Sequence, residues 1–189
     1  MNDRMNEKES PVEKYKFKKS GLSARDKIGE KDLEIHSVMG RIVVDFNHLE
    51  ENVSLAIIKL INTDEDIGLI ITSELSFRNK LNLLGSLFNK KKDTHHFNSF
   101  FQNIEEGFNE LLKACYRCEE FRNKYLHSNF YVEHNPKIEF RRIKKTSKAK
   151  KGLSVQNEII DSGFLLDIAD YTYGIAEDIE DFFYDYQKK

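Results

Sequence analysis

The sequence predicts an all-α domain: a four-helix, up-and-down bundle with a small basic arm or β-hairpin before the last helix. Two observations carry this expectation. Apolar residues recur at steps of three and four along separate stretches of the chain, as one face of a helix requires. Punctuation is sparse, with two prolines and nine glycines in 189 residues, which leaves too few turn signals for a many-stranded β architecture. Fourteen Phe and eight Tyr without a Trp make the expected core aromatic-rich, and 39% hydrophobic content suffices for one core.

Taken in order, residues 1–33 mix acids and bases without periodicity and read as a flexible N-terminal arm; residues 34–189 read as a single helical domain. Ile35, Met39, Ile42, Phe46, Leu49, Val53, Ile57 and Leu60 mark a long helix that should stop near Asn62-Thr63-Asp64. A second helix is expected from about Ser73, with Glu74 and Ser76 near its N-terminus and a stripe of Phe77, Leu81, Leu84 and Phe88. Three lysines before Asp93 suit its C-terminal end. The third helix is expected from Thr94 or Phe97 to about Phe130. Its seam runs Phe97, Phe101, Ile104, Phe108, Leu111, Cys115, Cys118, Arg122, Tyr125.

From about 137 to 158 the chain reads as a basic arm or hairpin turning near Lys151-Gly152. It carries Arg141, Arg142, Lys144, Lys145, Lys148, Lys150 and Lys151. The last helix should start near Asp161-Ser162, which can cap it. Its stripe is Phe164, Ile168, Tyr171, Ile175, Ile179, Phe182 and Tyr186. From Glu158 to Tyr186 there are nine acids and no base.

Composition excludes some classes. The net charge is -2, so global charge names no partner. No apolar run is long enough to span a membrane, and the charged stretch Met1 to Ser20 has no apolar core of the kind a secretory signal needs. Two cysteines make no disulfide framework, and a reducing cytoplasm is the expected location. Cys115 and Cys118 form a lone C-x-x-C on the apolar seam, better read as core than as redox or metal chemistry. His95-His96 is expected in a solvated loop, and His36, His48 and His134 are isolated. No metal and no cofactor are expected.

The unusual residue on the third seam is Arg122, a charge among apolar positions that must be paired, reach out or face a functional cavity. His127 follows with four residues between. Histidine titrates near neutrality and can take or give a proton; arginine presents a planar fork to phosphate oxygens. Positions five apart lie roughly 140° apart around a helix, whereas Asn123 and His127, four apart, share a face. Arg122 therefore joins His127 only by wrapping round, by distortion of the helix, or from a second copy in a two-fold dimer. Glu119, three residues before Arg122, is an alternative, purely structural partner, and Ser128 and Glu120 are support residues. Arg141, Arg142, Lys144, Lys145 and Lys148 are candidate RNA-backbone contacts; equally, the arm neutralises the acidic last helix.

The run Arg122-Asn123-x-x-x-His127, late on a long helix and followed by one more long helix, resembles the motif of the HEPN superfamily. The stretch from Thr72 to Leu84 also looks like the second helix of some bacterial members. That resemblance covers roughly Ile35 to Phe183 and implies a dimerising α-helical bundle whose shared cleft is lined by Arg122 and His127 of both chains. It implies a metal-independent endoribonuclease, often in toxin–antitoxin, phage-defence or stress systems, with an antitoxin or regulatory protein as partner. Some members of that superfamily instead bind RNA, nucleotides or proteins without turnover.

Overall fold

The computed structural model describes residues 30–94, 97, 103–134, 138–148 and 152–184. Residues 1–29 of the N-terminal arm, His95-His96, Phe101 and Tyr186 lie outside the described residues; residues 30–33, expected in the arm, already belong to the first helix. The chain is mostly helical: α1 (Glu30–Ile61), α2 (Glu65–Ser73), α3 (Phe77–Lys91), α4 (Ile104–Leu126) and α5 (Ser162–Phe183). A three-stranded antiparallel sheet, β1 (Asn129–His134), β2 (Ile138–Lys148) and β3 (Gly152–Ile159), stands between α4 and α5.

α1 buries the expected face, from Ile35 and Ile42 through Phe46, Leu49, Val53, Ile57 and Leu60; Met39 is half-buried. It ends where expected, and Asn62 leaves with a φ of 57°, in the left-handed region that asparagine tolerates. α2 was not expected. Asp64 caps it, accepting the Asp66 backbone N–H at 3.1 Å, and its buried positions are Gly68 and Thr72, one turn apart. Ile67, Leu69, Ile70 and Ile71 stay exposed. A face of small residues lets α2 lie close against Ile58 of α1: a Cβ built on Gly68 would stand 2.5 Å from the Ile58 Cγ1. Apolar periodicity misses this helix because its inward face carries no large apolar side chain.

α3 starts at Phe77 rather than Ser73. Ser76 caps it by accepting the Asn79 backbone N–H at 3.3 Å, and Phe77, Leu81, Leu84 and Phe88 all point inward. α4 is shorter than expected at both ends. Asn103 accepts the N–H groups of Glu105 and Glu106 and starts it, so Phe97 packs ahead of the helix and Ile104 is partly exposed. Its last residue is Leu126; the chain then enters β1, whose first two residues fall within the helix expected to about Phe130. α5 starts at the expected position, but the Asp161 side chain makes no capping hydrogen bond. Its buried face is Leu165, Ile168, Ala169, Thr172, Ile175, Ala176, Ile179, Phe182 and Phe183. Phe164, expected on the stripe, is exposed.

The contacts define the helix directions. α1 and α5 run parallel, since Arg41 meets Asp170, Asn52 meets Ala176 and Lys59 meets Phe183. α3 also runs with α1, with Phe46 on Phe77 and Lys80 bonded to Glu50 at 2.6 Å. α4 opposes its neighbours, pairing Glu119 with Arg78 and Phe108 with Phe182. The simple up-and-down alternation is therefore broken between α1 and α3. α2 carries the chain back along the end of α1 so that α3 can start again beside Phe46. At the far end Phe88, Phe97, Phe108, Phe182 and Phe183 pack together, Phe88 stacking on Phe108 with centroids 3.8 Å apart. Each such pair contributes about 0.5–1.5 kcal/mol beyond its buried area. At the other end Ile35, Ile42, Tyr125, Ile160, Leu165, Ile168 and Ala169 form a second cluster, against which Phe130 and Phe140 of the sheet pack.

In the sheet, Phe130 faces Arg142 and Tyr131 faces Arg141 across β1 and β2. Arg142 faces Glu158, and Lys145 faces Val155, across β2 and β3. The hairpin expected over 137–158 is thus β2 and β3, with β1 added on the far side. Gly152 opens β3 with a φ of 69°.

Candidate functional site at the end of α4

The motif occupies the last turn of α4 and its exit. Arg122 is half-buried. Its guanidinium lies over the Phe46 ring of α1, 5.2 Å from the centroid, and Nη1 donates to Asn123 Oδ1 at 3.3 Å. The apolar seam thus accommodates the charge by laying its delocalised plane on an aromatic face. Glu119 is not its partner: that carboxylate accepts from Arg78 of α3 at 2.6 Å, tying α3 to α4 instead.

His127 is the C-cap residue of α4, with φ -98° and ψ 25°, and its side chain is exposed. Among the described residues, no hydrogen bond or ring contact joins it to Arg122 or Asn123. One chain therefore brings Arg122 and Asn123 together and leaves His127 apart, open to solvent at the helix end.

Behind His127 the helix end is braced. Ser128 Oγ donates back to the Lys124 carbonyl at 2.6 Å. Arg142 of β2, only 1% exposed, donates from Nη1 to Ser128 Oγ at 2.9 Å and to the Lys124 carbonyl at 3.3 Å. Its Nε and Nη2 donate to Glu158 of β3 at 3.1 and 2.9 Å, and Lys124 Nζ reaches the other Glu158 oxygen at 3.2 Å. Burial works to raise the Glu158 carboxyl; the hydrogen bonds and charges of Lys124 and Arg142 outweigh it and hold the group below the usual carboxylate range. Arg142 also lies over the Tyr125 ring. A cation on the last carbonyls of a helix satisfies an orphan acceptor and complements the helix dipole.

Arg142 is therefore corrected from an RNA contact to a buried brace that holds the segment carrying His127. Its position on β2 decides this: the pleat turns Phe140 and Arg142 toward the helices. Arg141 takes the opposite face and pairs with Glu133 of β1. Lys144 is half-buried and Lys145 exposed; Lys148 lies on β2 opposite Gly152. Phe46 and Glu158 were missed. No local signal marks Phe46 as the arginine's platform, and only the pairing register of β2 with β3 brings Glu158 opposite Arg142.

Cys115 and Cys118 are free and fully buried in the core. Burial pushes both thiols up, Cys118 to about 11, which keeps them protonated and inert. A groove of about 390 Å³ between α4 and α5, lined by Arg117, Tyr171 and Asp178, lies further back along α4 than His127. No helix of the described residues is long and apolar enough to cross a membrane.

Compared with protein-family models, with curated proteins and with solved structures, the chain matches none.

Proposed function

We propose that the chain is a metal-independent endoribonuclease of HEPN type, built on a HEPN-like helical bundle and working as a homodimer in the cytoplasm. The observation that carries this is the motif's setting: Arg122 and Asn123 bonded to each other against Phe46, and His127 exposed one step beyond the last helical residue. His127 acts as general base or general acid. As a base it takes the proton of a ribose 2'-hydroxyl; the 2'-oxygen then forms a bond to phosphorus and the 5'-oxygen leaves, giving a 2',3'-cyclic phosphate. Arg122 neutralises charge on the phosphoryl oxygens as it develops, and Asn123 fixes the guanidinium. A two-fold cleft supplies the His127 of one chain and the Arg122 of the other, which five-residue spacing keeps apart within a chain. Lys145, with Arg141, Lys144 and Lys148, supports the RNA backbone beside the cleft. A toxin–antitoxin, defence or stress role, with an antitoxin or regulatory protein as partner, goes with this proposal.

The separation of Arg122 from His127 within one chain also favours a second reading, a non-catalytic module of the same fold that binds RNA, a nucleotide or a protein. Cleavage of an RNA pool by purified protein, beside a His127→Ala variant, separates the two. Turnover lost in the variant fits the enzyme; tight binding without turnover by either protein fits the module.

A further inference from the structure

Away from the motif, His48 of α1 faces Glu177 and Glu180 of α5, and one ligand atom from each lies within 4.8 Å of the other two. The helices dictate this. Glu177 and Glu180 are three apart and share a face, and the parallel packing of α1 on α5 puts His48 beside it. The His48 ring lies against Tyr173 at 5.9 Å, and Asn52 Nδ2, one turn along α1, donates to the Ala176 carbonyl at 3.0 Å and meets His48 Nε2 at 3.3 Å. Asn52 is buried, so the imidazole is held by a side chain itself fixed to α5. The three residues are half-buried.

We infer that His48, Glu177 and Glu180 form a binding site for a divalent first-row transition ion that clamps α1 to α5. One imidazole nitrogen and two carboxylate oxygens are a donor set suited to zinc, manganese or iron, with water completing the shell. Electrostatics favour a cation here, because the segment from Glu158 to Tyr186 holds nine acids and no base. The site is independent of the cleavage motif: Arg122 meets α1 at Phe46, two residues from His48 and so on a different side of the helix.

The test is zinc binding to the full chain by equilibrium dialysis and calorimetry, with a parallel thermal melt. Wild type, His48→Ala and the double variant Glu177→Gln/Glu180→Gln are compared with a control double variant, Glu65→Gln/Asp66→Asn, in the exposed first turn of α2. One tightly bound zinc per chain is expected in wild type and control, with a higher melting temperature in its presence. Affinity should fall by about tenfold or more in both site variants, each retaining its far-ultraviolet helical signal. Equal zinc binding by wild type and the site double variant, or no binding by wild type, overturns the inference. Neither result bears on RNA cleavage measured in EDTA.

Discussion

Among the described residues, Arg142 is the most deeply buried charged side chain. It reads as one of seven basic residues on an arm, yet it is buried and bonded to Ser128, Lys124 and Glu158. Removing its side chain takes a buried donor from Ser128 Oγ and the Lys124 carbonyl and leaves a cavity beside the Tyr125 ring, whereas the partly exposed Glu158 keeps Lys124. Arg142→Ala is expected to destabilise the domain by about 2–4 kcal/mol, measured by urea unfolding, and to loosen the segment that carries His127. Lys145→Ala, on an exposed side chain of the same strand, should change stability by less than about 0.5 kcal/mol. The two cysteines give a second expectation. Both thiols are core groups held protonated, so a thiol reagent should modify neither in the native protein and both after denaturation; rapid native labelling would show that the α4 core opens. What was legible at this scale was residue type. Arg122, Asn123 and His127 stand where the motif put them, at the end of a long helix. Their partners were not legible, because the Phe46 ring and the Arg78 that takes Glu119 are distant in sequence. Glu158 is marked as a brace only by the register of a sheet.

At the scale of elements, α1, α3 and α5 were legible because each presents large apolar residues at helical spacing. Two elements escaped. α2 turns Gly68 and Thr72 inward and shows its isoleucines to solvent, the reverse of the pattern that reveals a helix. Its packing is correspondingly sensitive. Gly68→Ala places a methyl against both γ carbons of Ile58 and is expected to cost about 1–3 kcal/mol as overpacking, read from the urea midpoint. Gly40→Ala, at a helical position with open space, should be neutral or slightly stabilising. β1 escaped because Phe130 and Tyr131 follow the α4 seam without a Gly or Pro between. The stop comes instead with long-range bonds: Arg142 binds the Lys124 carbonyl in the last turn, and β2 offers a strand to pair with.

On the scale of the whole molecule, a mostly helical domain was legible from punctuation and periodicity. The direction of its helices was not, since the short return of α2 lets α1 and α3 run parallel. The two ends differ: one gathers five phenylalanines, the other is a cluster shared with the sheet and closed by the Arg142 brace. The proposed site lies at that second end, on the outside of the brace. If two chains complete it, the protein should sediment as a dimer at micromolar concentration; a monomer there would argue against a shared cleft. Cleavage of a mixed RNA pool in EDTA, by wild type beside His127→Ala, tests the proposed chemistry most directly. Wild-type cleavage leaving 2',3'-cyclic phosphate ends, abolished in a folded His127→Ala, is the expected result. Cleavage that persists unchanged in His127→Ala would contradict it.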